Sequence, residues 1–360
     1  MIIQSEKLIR LVAQTFEQSG CSAAEAERVA RRLTSANLTG HDSHGVLRVP
    51  RYVGWIGSGD LVPGQHLSVI SQNDTMAVLD GKQGFGQTVG EEAVKLGIEM
   101  AKKSGLSIIA LRNTGHLGRI GDWAEMAIDE GLISIHFVNV AGSVLVAPFG
   151  GIDARMATNP VTIGIPMGDN PPLLLDFATS IVAEGKVMVA AKGGKPLPEG
   201  ALINKDGEKT TDPVALYGTH DAAAGTGRDG GGAIRAMGEH KGSGLAFMCE
   251  MLAGALTGGG CANVETQYFR NGMLSIYIKP GQFTDQNQFV QDALSYVEYF
   301  KSAKPVKDVD EVLVPGEPEQ RKRADRLANG IEISDDGWQA IVDTARQSGV
   351  AEDDIASATA

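Results

Sequence analysis

Thr75 to Arg112 reads TMAVLDGKQGFGQTVGEEAVKLGIEMAKKSGLSIIALR: an apolar run, a glycine-rich turn, an amphipathic stretch and a second apolar run. TMAVLDG (75–81), bounded by glycine, predicts a strand. TVGEEAVKLGIEMAKKSG (88–105) returns Val, Leu, Ile and Met at helical spacing and predicts a helix, and LSIIALR (106–112) predicts the next strand. The alternation continues with IGDWAEMAIDEG (120–131) as helix and LISIHFVNV (132–140) as strand, which makes the centre of the chain α/β rather than all-helical. The turn GKQGFGQTVG stands where a dinucleotide fingerprint would stand, after a strand and before a helix. G-x-G-x-x-G starting at Gly84 requires glycine where the chain has Val89, so the turn is read as structural. Neither a P-loop nor H-E-x-x-H is present, and any nucleotide must be held without the usual fingerprint.

Working outward, residues 5–19 place Leu8, Leu11, Val12 and Phe16 at helical spacing. Ser22 with Glu25 reads as a capping box for a second helix that runs to about Leu38 and stops at Gly40. On the C-terminal side, PPLLLDFA (171–178) leads into TSIVAEGKVMVAA (179–191) as strand and helix. KGSGLAFMCEMLAGAL (241–256) predicts a buried apolar helix, GMLSIYIKP (272–280) a strand and QNQFVQDALSYVEYFKSA (286–303) an amphipathic helix. GEPEQRKRADRLANG (316–330) and SDDGWQAIVDTARQSG (334–349) close the chain as helices. The glycine-rich HDAAAGTGRDGGGAIRAMGEHKG (220–242) predicts a mobile loop. The expected division is an α/β unit over 74–300, with helices from 1–73 and 301–360 forming a second unit.

The 360 residues, 42% hydrophobic and 21% charged, leave room for two apolar interiors. A net charge of −12 argues against a general phosphate-backbone binder, while leaving room for local basic pockets. Three cysteines, Cys21, Cys249 and Cys261, without paired spacing suit a reducing compartment. The opening MIIQSEKLIRLVAQ lacks a signal-peptide core, and no apolar run is long enough to span a bilayer. The expectation is a cytoplasmic protein without nucleic-acid or membrane partners.

Two segments carry chemistry. In TGHDSHGVLRVPRY (39–52), Pro50 marks a helix start and leaves HDSHG as loop. Arg48 lies four residues from both His44 and Tyr52, so a guanidinium and a phenol can share one face below an imidazole. That set suits a carboxylate held by paired hydrogen bonds while the imidazole handles a proton; the plainer reading is a helix start with solvated Arg48 and Arg51. His41 and His44 with Asp42 make a weak metal set, and no metal is expected. In NTGHLGRIGDW (113–123), His116 follows a strand among Gly115, Gly118 and Gly121 just before a helix. The turn either offers backbone N–H groups and Arg119 to an anion beside a titratable imidazole, or is a tight turn with a surface histidine. Asp176 either caps the following helix or faces a cofactor at a strand end. His240 and Lys241 either meet an anion or carry a snorkelling side chain.

Together GHDSHGVLRVPRY, GHLGRIGDWAEMA, VAPFGG, ATNP, LLLDFATS, EHKGSGLAFMCEMLAGALTGG and VPGEPE resemble the type 2 malate/L-lactate dehydrogenase family over nearly the whole chain. That family also includes ureidoglycolate, sulfolactate and cyclic-ketimine enzymes. The resemblance implies a non-Rossmann, mixed-sheet α/β domain that binds NAD or NADP, NAD being the first choice, with a helical domain from both chain ends, in a homodimer. It implies His116 as proton acceptor and His44 at the nicotinamide end. Arg48 and Tyr52 match substrate-side positions. Cofactor contacts are implied at Gly118, Arg119, Ile120, Leu174, Leu175, Asp176, Phe177, Ala178, His240, Asn271, Gly316, Glu317, Pro318 and Glu319. Ala157 stands where relatives carry glycine before TNP, and the glycine-rich insert before His240 departs from the pattern.

The expected reaction is the interconversion of a 2-hydroxycarboxylate of malate, lactate or aryl-lactate type and its 2-oxo acid. Arg48, with Tyr52, would hold the carboxylate while His116 takes the hydroxyl proton; His44 is the alternative base. Reduction of a cyclic ketimine is the second enzymatic reading. A catalytically silent anion-binding protein on the same scaffold is the third reading.

Overall fold

The computed structural model describes residues 1–191, 195–218, 228–266 and 268–359. The strands are β1 (Ile2–Ile3), β2 (Ser68–Gln72), β3 (Met76–Asp80), β4 (Leu106–Thr114), β5 (Ile133–Ala141), β6 (Val146–Ala147) and β7 (Pro160–Ile165). They continue as β8 (Leu173–Ala178), β9 (Leu202–Ile203), β10 (Lys209–Thr210), β11 (Ala233–Arg235), β12 (Arg270–Ile278) and β13 (Ile331–Glu332). The helices are α1 (Ser5–Gln18), α2 (Ala23–Leu38), α3 (Val49–Ser58), α4 (Gly86–Ser104), α5 (Gly121–Asp129) and α6 (Glu184–Ala191). They continue as α7 (Val214–Tyr217), α8 (His240–Cys249), α9 (Gln286–Lys301), α10 (Glu317–Asn329), α11 (Asp335–Ser348) and α12 (Glu352–Thr359).

The quoted stretch forms β3, α4 and β4 as its periodicity predicts. A seven-stranded sheet runs in the order β2-β3-β4-β12-β5-β7-β8. Only β3 and β4, joined by the α4 crossover, are parallel. Every other neighbouring pair in it is antiparallel. A doubly wound nucleotide fold needs a row of parallel strands; one parallel pair is a different, mixed α/β architecture, which is why the fingerprint is missing. Four short strands, β10-β9-β11-β6, make a second sheet.

The glycines of the α4 turn are there for close approach. A Cβ on Gly86 would lie 2.2 Å from the His116 carbonyl oxygen, and one on Gly97 would lie 2.3 Å from the buried Tyr277 ring. The Gly115 N–H donates to Gly84 O at 2.9 Å. The turn that imitates a phosphate loop therefore seats the backbone around His116.

Helices from both ends of the chain share one core. Leu8, Leu11 and Phe16 of α1 and Leu33 of α2 pack with Ile331, Trp338, Ile341 and Ile355, and Tyr52 and Phe85 reach into the same cluster. Each such side chain contributes about 1.5–3 kcal/mol by leaving water. A second cluster joins the sheet to α4 and α5 through Val94, Ile98, Ile109, Leu111 and Trp123. A third lies around the small sheet, with Val146, Val187, Leu202, Leu216 and Ile234. Among the described residues no helix is long and apolar enough to cross a membrane.

Several elements differ from the sequence reading. Ser22 caps α2 by accepting from Glu25 N at 3.3 Å, but the Glu25 carboxylate does not close the box. It accepts from Thr88 Oγ1 at 3.0 Å and Gly64 N at 2.7 Å, tying α2 to α4. The predicted helix over 241–256 begins at His240 and changes to π-helical turns over Glu250–Ala255. It is not wholly buried, since Phe247, Met248, Met251 and Leu256 are exposed along it. Within the predicted glycine-rich loop, Ala233–Arg235 is β11, and residues 220–227 lie outside the described residues.

Candidate active site

The loop HDSHG is two short 3₁₀ turns, Asp42–His44 and Val46–Arg48, leading into α3 with Pro50 in its first turn. It is pinned from afar. Asp42 accepts from Asn37 Nδ2 at 2.7 Å and from Arg326 of α10 at 2.6 and 3.0 Å. The Asn37 Oδ1 accepts from Val46 N at 2.8 Å, and a Cβ on Gly45 would collide with that same oxygen. Asp42 is thus a structural anchor rather than a ligand beside His44. No group of three or more His, Cys, Asp or Glu among the described residues is arranged to hold a metal ion.

This anchoring brings His44 against His116, with stacked rings 5.4 Å apart. His116 follows β4, and its position is fixed by backbone. Leu117 N donates to Asn271 Oδ1 at 2.9 Å while Asn271 Nδ2 donates to Asn139 O at 3.0 Å. Asn271, expected at the cofactor, therefore has its amide engaged in holding the His116 loop. The Tyr52 hydroxyl lies 2.6 Å from His116 Nδ1 and accepts from Gln87 Nε2 at 3.1 Å. Tyr52 accordingly faces the imidazole, which leaves the expected carboxylate contact to its neighbours. His116 Nε2 has no hydrogen-bond partner among the described residues.

Those neighbours are arginines. Arg48 donates through Nε to Ser43 O at 2.6 Å, and its terminal nitrogens meet no carboxylate within ion-pair distance among the described residues. The side chain of Arg51, one helical turn further along α3, has no hydrogen-bond or ion-pair partner there either. Their charge is felt across the site. Burial, then Arg48, His44 and Arg51, hold His116 well below the ordinary imidazole range. Burial, then Arg48, His41 and Arg119, press His44 down to about 3. Burial pushes the Tyr52 phenol up to about 12. Both imidazoles are therefore neutral at pH 7 in the free protein.

An aromatic wall completes the cleft. Trp55 stacks on Phe269 at 4.9 Å and on Tyr52 at 5.7 Å, and Phe269 lies 5.6 Å from His116. Across from it, α6 presses on the Ser43 turn, where a Cβ on Gly185 would lie 2.6 Å from Ser43 Cβ. Glu184 on that helix accepts from Arg228 Nε at 3.0 Å.

Arg119 is not the phosphate partner its position suggested. Its side chain is fully buried, with Nη1 2.9 Å from both Asp122 and Glu125 and Nε 3.8 Å from Asp176. Asp176 accepts from Gly121 N at 2.8 Å and from Thr162 Oγ1 at 2.6 Å, so it caps α5 rather than the helix that follows it. What the Gly118–Ile120 turn leaves over is backbone: the N–H groups of Gly118, Arg119 and Ile120 have no acceptor among the described residues, at the start of a helix. The other expected cofactor segments cluster around β8, which carries Leu174, Leu175, Asp176, Phe177 and Ala178. A Cβ on Gly316 would lie 3.1 Å from Leu174 N, which itself donates to Pro315 O at 3.1 Å. Glu317 accepts from Lys301 at 2.5 Å and Val314 N at 2.9 Å, with Pro318 and Glu319 in the first turn of α10. The first turn of α8, where His240 stands, packs on the far end of β8, and Met237 N donates to Thr179 O at 2.9 Å. Free helix-start amides, a glycine-lined strand edge and a neutral imidazole pair fit a dinucleotide with a nicotinamide end.

Sequence reasoning left Arg51, Gln87, Trp55, Phe269, Asn37 and Arg326 out of the site. Arg51 had a signal, since it shares a helix face with Arg48. Arg326 had none, because its partner Asp42 is 284 positions away.

The chain is similar to known proteins along nearly its whole length. A family model described as malate/L-lactate dehydrogenase matches residues 3–342. Hydroxycarboxylate dehydrogenase B of Escherichia coli K12 is 40% identical over 356 residues, covering 98% of this chain and 95% of its own. A solved E. coli structure described as malate/lactate dehydrogenase superposes with a TM-score of 0.92 at 38% identity, covering 100% of this chain and 98% of its own. The δ1-piperideine-2-carboxylate reductase of Pseudomonas syringae has the same fold, with a TM-score of 0.79 at 28% identity over 97% of this chain and 100% of its own.

Proposed function

Since the chain belongs to the malate/L-lactate dehydrogenase family, we propose that it interconverts a 2-hydroxycarboxylate and its 2-oxo acid with NAD or NADP. One observation carries the reading: two guanidinia, Arg48 and Arg51, stand beside the His44–His116 pair with no carboxylate among the described residues within ion-pair distance of either. An arginine without a partner in a half-buried cleft calls for an anion from outside.

In this reading Arg48 and Arg51 hold the substrate carboxylate and turn C2 toward the imidazoles. His116 Nε2 takes the hydroxyl proton in oxidation and gives it back in reduction, a role that typically contributes about 10²–10⁴-fold. The bound carboxylate also offsets the two positive charges that depress His116, so the base becomes stronger when substrate arrives. The Trp55–Phe269 wall excludes water on one side. The nicotinamide supplies the hydride acceptor or donor when bound. The residues that would hold the dinucleotide are the amides of Gly118, Arg119 and Ile120, the edge of β8, His240 and the 316–319 turn.

Single-turnover hydride transfer in His116→Ala and His44→Ala tests the assignment. His116→Ala is expected to slow transfer at least a hundredfold; parent rates in both variants would overturn it. Reduction of a cyclic ketimine is the second reading, favoured by the likeness to the piperideine-2-carboxylate reductase, whose name carries the same carboxylate. Pyruvate, oxaloacetate, phenylpyruvate and a cyclic imino acid, each with NADH and NADPH, separate the two. Turnover of the imine alone would overturn the hydroxy-acid reading.

The exposed Phe247, Met248, Met251 and Leu256 on α8 and its π-helical extension support a homodimer, because an apolar strip of that kind is rarely left to water. Phe247→Asp is expected to shift the sedimentation coefficient to that of a monomer. The three free cysteines, two of them with thiols pushed up to about 12 by burial, suit the cytoplasm we assign.

A further inference from the structure

We propose that Gln87 is a positioning residue that governs which nitrogen of His116 carries the proton, acting through the Tyr52 hydroxyl. The proposal rests on the reading of His116 as the acid/base group. Gln87 Nε2, Tyr52 Oη and His116 Nδ1 form one chain of contacts, 3.1 Å and 2.6 Å long. Gln87 and Tyr52 are each 1% exposed, so no bulk water replaces either contact.

A hydroxyl has one hydrogen to give, and this fixes the logic of the chain. While Gln87 donates to Tyr52 Oη, the Tyr52 hydrogen points to His116 Nδ1. Neutral His116 then carries its own hydrogen on Nε2, the nitrogen facing the cleft. That form donates a hydrogen bond that can hold the carbonyl oxygen of a 2-oxo acid, and His116 protonates that oxygen in reduction only as imidazolium, after taking up one proton from solvent.

The opposite form is one amide rotation away. In the present orientation Gln87 Oε1 is buried without a partner, and Tyr52 Oη is the only group its amide bonds among the described residues. Turning the amide over brings Oε1 to the hydroxyl, which now donates to it. Nδ1–H of His116 donates to the phenolic oxygen, and Nε2 presents a lone pair. Each orientation leaves one amide atom unpaired, so neither is locked, and a fully satisfied amide would have lost this freedom.

In the lone-pair form the oxidation balances. The substrate O–H bond breaks with its proton going to Nε2. The C2 hydrogen departs with its electron pair to the oxidised nicotinamide, and C=O forms. The imidazolium then releases one proton to solvent, which restores neutral His116.

The test uses Gln87→Glu and Gln87→Leu in the full chain with ¹⁵N-labelled histidine, His116 being assigned by the signal lost in His116→Gln. The parent is expected to show His116 Nδ1 and Nε2 shifts averaged between the two tautomers. An ionised carboxylate in place of the amide can only accept, so Gln87→Glu is expected to move His116 to the Nδ1–H form. It is also expected to raise the acid limb of kcat/KM for oxidation by about one pH unit. Gln87→Leu is expected to lower kcat about tenfold with KM for the hydroxy acid little changed.

A single fixed tautomer in the parent overturns the proposal, and so does a Gln87→Glu protein with the parent's spectrum and pH profile. If Gln87→Leu fails to fold, these two measurements decide. If His116→Ala transfers hydride at the parent rate, the acid/base reading fails. If His116→Ala is slow and the Gln87 variants match the parent, only the role of Gln87 fails.

Discussion

Gly86→Ala probes the seat of His116 without touching a single polar group. Gly86 lies outside the positive-φ region, so alanine is conformationally acceptable there and only space opposes it. The added Cβ would lie 2.2 Å from the His116 carbonyl oxygen, 2.5 Å from its carbonyl carbon and 2.6 Å from Leu117 Cα, against 3.4 Å or more in ordinary contact. All three are backbone atoms, so no rotamer can relieve the clash, and the loop carrying His116 must retreat by about 1 Å. A displacement of that size in a reacting group lowers the rate on the order of 10²-fold. The overpacking itself costs about 1–3 kcal/mol of stability. Rapid-mixing measurement of a single turnover, with hydroxy acid and oxidised cofactor saturating, reads the first quantity, and thermal unfolding reads the second. Gly54→Ala on α3 is the control, because a Cβ there meets nothing within 4 Å; it should be neutral or gain about 0.5–1 kcal/mol. Hydride transfer in a folded Gly86→Ala protein within twofold of the parent would refute the argument that this turn exists to position His116.

Arg51→Gln should raise KM for the hydroxy acid about 10–100-fold, the worth of a charge-assisted hydrogen bond, and should lift the acid limb of the pH profile by removing a charge that depresses His116. An unchanged KM would assign the carboxylate to Arg48 alone. Arg48→Gln should do the same and also loosen the Ser43 turn, seen as weaker protection of that segment in hydrogen exchange; parent-like KM in both variants removes the carboxylate reading. His136 is buried between Ser134 and Ser275 with its pKa held at about 3 by burial. Its folded pKa lies below the unfolded value, so its contribution to stability is complete above about pH 6.5 and falls by about 1.4 kcal/mol per pH unit as the pH drops from there toward 3. Urea unfolding at pH 7, 6 and 5 should show a shallower slope in His136→Leu than in the parent; equal slopes would exclude it.

The β3-α4-β4 crossover was legible because both of its periods are written locally, in Met76 to Asp80 and in the Val94, Ile98 and Ala101 face of α4. The mixed sheet as a whole was expected from resemblance, while its particular pairings were not. β6 and β9 are held by β11, far off in sequence, and a strand as short as Leu202–Ile203 has no period to read. The π-helical turns were invisible for another reason: the apolar pattern of 241–256 is compatible with both helix types, and what favours the wider turn is the buried Glu250 carboxylate, which gathers Asn139, Asn159 and Ala262 N. At the site, His44, Arg48, Tyr52 and His116 were legible as chemistry, and the structure brings them together. The partner of Tyr52 was not, because nothing in GFGQTVG distinguishes Gln87 from a solvated helix start. Arg119 misled because a cation beside a glycine turn looks free until Asp122, Glu125 and Asp176 are placed around it.

The shared core of the two chain ends has a consequence for synthesis. Met1 bonds to Ile333, 332 positions later, and α3, with Arg48 just before it and Tyr52 on it, packs against the same cluster as α11. On a ribosome adding roughly 5–20 residues per second, the first helices wait on the order of 20–70 s for their partners. During that wait Leu8, Leu11, Phe16 and Leu33 lack the part of their cover that Ile331, Trp338, Ile341 and Ile355 supply, and Asp42 has no Arg326. The turn that carries His44 is therefore set in place only after translation has reached the C-terminal helices.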